Sequence, residues 1–106
     1  MAWFALAIAG LLEVGWAFSM KLSHGFTRLI PSLVTLVTML ASFGLLSFAM
    51  RTLPLGTAYT IWTGIGAVGA FIAGAIWLGE SLSAMRVIAA LLIVSGIVLM
   101  KFSAGD

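Results

Sequence analysis

Charge is the scarcest commodity in this chain. Its 106 residues include five Lys or Arg, three Asp or Glu and one His, so 8% are charged. Soluble domains carry roughly a quarter, and a water-soluble fold cannot coat its surface with so few. Cysteine is absent, which excludes a disulfide framework and thiolate metal sites and leaves the redox compartment unread. The net charge of +2 is small, and the basic residues are scattered. That argues against nucleic acid as a partner. No positive segment precedes the first apolar run, and Glu13 interrupts it. A cleaved secretory leader is therefore not expected. What remains is apolar: 63% of the residues are hydrophobic. The composition places the chain in the all-α integral membrane class, and nothing in it calls for a cofactor.

A membrane helix needs roughly 20 mostly apolar residues. Four segments qualify: 2–20, 29–50, 57–78 and 83–102. The second carries Pro31 in its first turn, where a missing N–H costs little. The fourth holds 14 uncharged residues between Arg86 and Lys101, whose long side chains can snorkel to the headgroups. The connections "KLSHGFTR", "RTLPLG" and "GES" are short. The expectation is a single four-helix transmembrane domain over 1–106, with its function inside the membrane.

Orientation is weakly encoded. Lys21, Arg28 and Arg86 fall on one side, Arg51 and Lys101 on the other, so the charge bias that normally orients such proteins nearly cancels. Either the signal is merely weak, or the chain inserts both ways and pairs antiparallel. A lone four-helix bundle can hardly enclose a hydrated cavity and also bury its polar groups, so an oligomer is expected. Small residues suit close helix contact: Ala89 or Ala90 with Gly96, and Gly64, Gly66 and Gly69 in the third span. Packing within one subunit explains them equally well.

The first span contains "LAIAGLLEVGWAFSM" (Leu6–Met20), in which Glu13 is the one charge. It lies about 17 Å into a hydrocarbon core of about 30 Å. An ionised carboxylate there costs at least about 2.5 kcal/mol, so such a residue is functional by default. The alternative is a structural, protonated Glu bonded between helices. Helical spacing puts Gly10, Glu13, Trp16 and Ala17 on one face. Gly10 leaves room, and Trp16 offers an indole N–H and an aromatic wall, unless it is an interface anchor like Trp3 and Trp77. The second span carries a hydroxyl stripe, Thr35, Thr38 and Ser42, which either lines a polar site or bonds back to its own helix. The third span, "GTAYTIWTGIGAVGAFIAG" (Gly56–Gly74), sets Tyr59, Trp62, Thr63 and Gly66 on one face. Aromatic pairs hold planar cations through cation–π contact, and the glycines Gly64, Gly66 and Gly69 mark a hinge or a packing face. No Lys or Arg competes for Glu13 within a span, so its partner is a proton or a substrate cation. Competition between the two for one carboxylate couples their movement.

"GLLEVGWAFSMKLSHGFTRLIPS" (Gly10–Ser32), "ASFGLL" (Ala41–Leu46) and "LPLGTAYTIWTGIGAVGA" (Leu53–Ala70) resemble the small multidrug resistance family, and the likeness covers the whole chain. Trp16 three after Glu13, "WTGIGAVGA" and Lys101 are similar to its guanidinium-exporter subtype. The resemblance implies an antiparallel, dual-topology homodimer in the bacterial inner membrane that exports guanidinium in exchange for protons. It implies that Glu13 binds proton and substrate alternately, that Trp16, Ser42, Tyr59 and Trp62 surround the substrate, and that Gly10 packs at the site floor. Thr38 and Thr63 join as lining residues. It also implies that "ASFGLL" borders a lateral opening. Gly44 there is smaller than the pattern expects, and Gly15 replaces a more usual β-branched residue.

Guanidinium suits this chemistry, being planar and forked with N–H donors. A quaternary ammonium needs only an anionic aromatic box, so export of such drugs is the nearest alternative. A proton-channel or ring subunit using a lone Glu is more distant, and leaves Tyr59 and Trp62 unexplained. A non-catalytic partner of a paired transporter is a third. His24 lies in a connection and reads as a solvated loop residue. The expected partners are thus a small organic cation, protons, the lipid bilayer and a second copy of the chain.

Overall fold

The computed structural model describes residues 1–103. Four helices follow one another: α1 (Ala2–Leu22), α2 (Leu29–Ala49), α3 (Leu55–Trp77) and α4 (Ala84–Ser103). All four are long and apolar enough to cross a membrane. The ends differ from the hydropathy reading by a residue or two, because capping rather than polarity sets them. Pro54 holds an extended backbone, with φ −61° and ψ 150°, so α3 starts at Leu55 instead of at Thr57. α1 runs on to Leu22 because Ser23 caps it. Ser23 Oγ donates to the Met20 carbonyl at 2.6 Å and accepts from the Phe26 N–H at 3.0 Å.

Ser23 is fully buried beneath a turn in which His24, Gly25 and Phe26 all adopt positive φ (49°, 73° and 67°). Only the glycine takes that conformation without cost. At the other tight end, Gly79 has φ +68°. It turns the chain so that the Glu80 N–H bonds the Gly74 carbonyl at 3.1 Å.

Helices α1, α2 and α3 share the core. It is built from Ala5, Leu6 and Ala9 of α1, Leu46 and Ala49 of α2, and Ala58, Ile61 and Trp62 of α3, with Leu53 from the connection. Four of these nine residues are alanines, which suits helices in lipid that gain by close backbone approach rather than by hiding apolar surface. α4 has no buried residue and packs mainly along α3. Its ends rest on aromatic rings: Arg86 lies 5.6 Å from the Phe71 centroid, and Lys101 4.5 Å from that of Trp3. The molecule is a slab of 43 × 34 × 16 Å, little more than one helix thick.

Candidate cation site

Three glycines set the position of Glu13. A Cβ built at Gly10 would lie 2.6 Å from Ile65 Cγ2, so α3 approaches α1 closely there. A Cβ at Gly66 would overlap the Glu13 carboxyl group itself, and one at Gly69 would overlap Val14. The carboxyl group thus lies flat on the bare α3 backbone at Gly66. Gly64 serves another contact, receiving Ile97 of α4 at 2.8 Å from its would-be Cβ. α3 runs through Gly64, Gly66 and Gly69 as one continuous helix.

Ser42 ties the three core helices together. Its hydroxyl donates to the Ala9 carbonyl at 2.7 Å and accepts from Trp62 Nε1 at 3.0 Å. Ala9 is one turn before Glu13, and its carbonyl is the helical acceptor for the Glu13 amide. Ser42 therefore braces the turn that presents the carboxylate. The other two hydroxyls of the stripe bond back to their own helix. Thr35 donates to Pro31 at 2.7 Å, and Thr38 to Val34 at 2.7 Å. Ser42 alone of the three crosses to another helix.

The aromatic wall is larger than the spacing rules suggested. Trp16 meets Phe43 edge-on at 6.4 Å, Phe43 meets Trp62 at 5.8 Å, and Trp62 meets Tyr59 at 5.6 Å. Phe43 is the link between Trp16 and Trp62, and it was not anticipated. The one available signal was its place beside Ser42 in "ASFGLL". Tyr59 is 53% exposed and borders a groove of about 470 Å³ between α3 and α4. Thr63 lines that groove with Ile93 and Gly96, turned to the α4 side of α3.

Two buried polar atoms have no hydrogen-bond partner among the described residues: Glu13 Oε1 and Trp16 Nε1. An acceptor and a donor, one turn apart on α1, are both left unused. A buried polar atom without a partner costs about 1–3 kcal/mol. Such a pair suits a ligand better than it suits a closed core. A carboxylate offers about four lone-pair positions, enough for two forked N–H groups and an indole. No cluster of three metal-ligating side chains occurs among the described residues.

Comparison with known proteins gives a consistent result. The family model described as Small Multidrug Resistance protein matches residues 1–94. A protein named "Guanidinium exporter" from Salmonella typhimurium is 59% identical over 104 residues, which is 98% of this chain and 99% of that protein. One of the same name from Citrobacter freundii is 58% identical over 103 residues, 97% of this chain and 98% of its own length. A third, from Yersinia pseudotuberculosis, is 57% identical over 97% of this chain and 99% of its own.

Proposed function

Because this chain belongs to the small multidrug resistance family, we propose that it exports guanidinium, or small substituted guanidinyl cations, across the bacterial inner membrane in exchange for protons. It is a multi-pass transporter and not an enzyme. The observation that carries this reading is the pair of unpartnered buried atoms, Glu13 Oε1 and Trp16 Nε1, beneath a continuous aromatic wall.

Glu13 holds either a proton or the cation. In the cation-bound state, two forked N–H groups of guanidinium donate to the carboxylate. The Trp16 indole N–H donates to the same group and orients it. Phe43, Trp62 and Tyr59 face the planar cation with their rings. Ser42 does not need to touch the substrate for this. It holds Trp62 and the Ala9 turn in place. When a proton takes the carboxyl group, the charge that held the cation is gone, and the cation leaves. One site with two exclusive occupants gives exchange without a second coupling site.

The shape supports a homodimer. A slab only 16 Å thick gives the Glu13 site little cover, and a second, oppositely inserted copy would thicken the protein around it. Two inverted subunits would then supply the symmetry that inverted repeats give longer transporters, and with it alternating access.

The test is transport into proteoliposomes under a pH gradient with guanidinium, guanylurea and tetraalkylammonium. Guanidinium uptake should track the proton gradient and vanish in Glu13→Gln. The open space beside Gly44 favours tolerance of bulkier substituents. Preference for tetraalkylammonium over guanidinium would move the function to drug export. Proton leak without any substrate would make the protein a channel.

A further inference from the structure

A second cavity, of about 160 Å³, lies where α1 and α3 end on the same side of the molecule. Val14 packs on Gly69 between it and Glu13, so the cavity is separate from the cation site. Small residues create it: Ala17 of α1 faces Ala73 and Gly74 of α3. Phe18 forms an aromatic side, and Lys21 and Glu80 stand among the lining residues. Lys21 is in the last turn of α1. Glu80 follows α3, where Gly79 turns the chain at φ +68° and the Glu80 carboxyl group lies on the bare backbone of Gly74. The two opposite charges are exposed and line one cavity, yet they form no ion pair with each other. Beside the cavity runs a mostly apolar groove of about 450 Å³, lined by Val14, Gly15, Phe18, Ser19, Ala73 and Trp77. Phe18 and Ala73 line both spaces. At about 100° per residue, Gly15 and Phe18 fall on the side of α1 away from Glu13, so the groove opens outward.

We propose that this cavity and groove hold a zwitterionic phospholipid with a primary amine, its headgroup between Lys21 and Glu80 and one acyl chain along Gly15 and Trp77. Opposite charges held apart match a headgroup that carries both signs. The phosphate accepts from the Lys21 ammonium, and the headgroup ammonium donates to the Glu80 carboxylate. A purely anionic headgroup meets repulsion at Glu80, and a quaternary amine has no N–H to donate. The cavity has the volume of about five waters of liquid, room for an ethanolamine and its phosphate. Lys21 ends a span, where long cationic side chains reach the headgroups. Trp77 is 69% exposed, at the depth where indoles sit against lipid. At Gly15 nothing lies within 4 Å of an added Cβ, which leaves space for the acyl chain. A lipid so placed clips the last turn of α1 to the turn after α3. The inference does not depend on guanidinium transport.

Trp77 is the reporter. The full chain is placed in phosphatidylcholine vesicles that contain a minor share of a lipid brominated near the head of one acyl chain. Brominated phosphatidylethanolamine should quench tryptophan fluorescence about threefold more effectively than brominated phosphatidylcholine, the difference expected of one solvent-screened charge contact. Trp77→Phe should remove that excess, and so should Glu80→Gln. Lys21→Gln should weaken quenching by both lipids, since both carry the phosphate. Brominated phosphatidylglycerol, which has the phosphate and no amine, should rank below phosphatidylethanolamine. Equal quenching by the ethanolamine and choline lipids overturns the proposal, and so does an excess that survives Glu80→Gln. An excess that survives Trp77→Phe places the lipid elsewhere and overturns it too. Preference for phosphatidylglycerol would leave only the attraction of basic side chains for anionic lipid. Thermal unfolding in mixed micelles gives a second readout and shows that each variant is folded. Phosphatidylethanolamine should raise the midpoint above that in phosphatidylcholine for wild type and not for Glu80→Gln, because a ligand of the folded state stabilises it. An equal rise in both proteins would be a general effect of the lipid and would remove the site.

Discussion

Glu13, Trp16 and Ser42 make separable contributions, and single substitutions distinguish them. Under the competition mechanism, acid must weaken guanidinium binding, because protons and cation share Glu13. Where the proton dominates, the half-saturating guanidinium concentration should rise about tenfold for each unit fall in pH, by linkage. Equilibrium binding measured across pH by tryptophan fluorescence checks this, and a flat profile would sink the shared-site mechanism. Trp16→Phe keeps the ring and deletes the N–H donor. It should reduce guanidinium transport more than tetraalkylammonium transport, since only the forked ligand relies on an oriented carboxylate. Ser42→Ala should cost about 1–3 kcal/mol of stability, because it strands the Trp62 indole N–H in a buried site. Unfolding in mixed micelles measures that, and a neutral variant would mean that the Trp62–Ser42–Ala9 chain is dispensable. The importance of Glu13 is legible in its surroundings, because a carboxylate in an apolar run has few explanations. The use of Ser42 is not. Nothing in the spacing of Thr35, Thr38 and Ser42 says which hydroxyl will leave its own helix.

The elements differ in how strongly they are tied. α1 and α3 are joined by glycines that accept specific partners, whereas Gly15 and Gly44 face open space, with nothing within 4 Å of an added Cβ. Gly66→Ala therefore forces the Glu13 side chain off α3, and should cost about 1–3 kcal/mol as overpacking does. Gly15→Ala should instead stabilise α1 by about 0.5–1 kcal/mol through reduced chain entropy. Thermal unfolding of the two variants side by side checks the contrast. If both destabilise, the open space at Gly15 is filled in the functional assembly. The turn after α1 carries its own signature. His24 adopts φ 49° without being glycine, a conformation costing roughly 1–2 kcal/mol. His24→Gly should recover part of that. The loop reading of His24 was correct, but "SHGF" shows only one glycine for three left-handed residues, so the full extent of the turn was hidden.

At the scale of the molecule, α4 stands apart. It buries nothing and packs mainly along α3, with Arg86 resting on Phe71 of α3 and Lys101 on Trp3 of α1 at its two ends. An apolar helix with no buried residue suits lipid or a second subunit, and the open slab suits the second. If the chain inserts in both orientations, tags at its two ends should be accessible from both faces of the membrane in comparable amounts. A single orientation would remove the antiparallel dimer from the proposal. Shifting the near-balanced Lys and Arg count with one added lysine at the Arg51 end should bias insertion and lower transport, and co-expression with an oppositely biased copy should restore it.

The order of residues by itself determined the membrane class, the four helices and the cost of placing Glu13 among them. These follow from hydropathy and helix length, which act on each segment independently. Only the tertiary structure decided which polar atoms meet. Ser42 reaches Ala9 across 33 residues and Trp62 across 20. Phe43 completes a wall whose other members lie on two different helices. Thr63 turns toward α4, while Glu13 and Glu80 come to rest on Gly66 and Gly74. Those outcomes depend on how closely two helix backbones approach and how one is rotated against the other. Both are set by side-chain volumes on opposing helices together, a quantity that no single stretch of sequence contains.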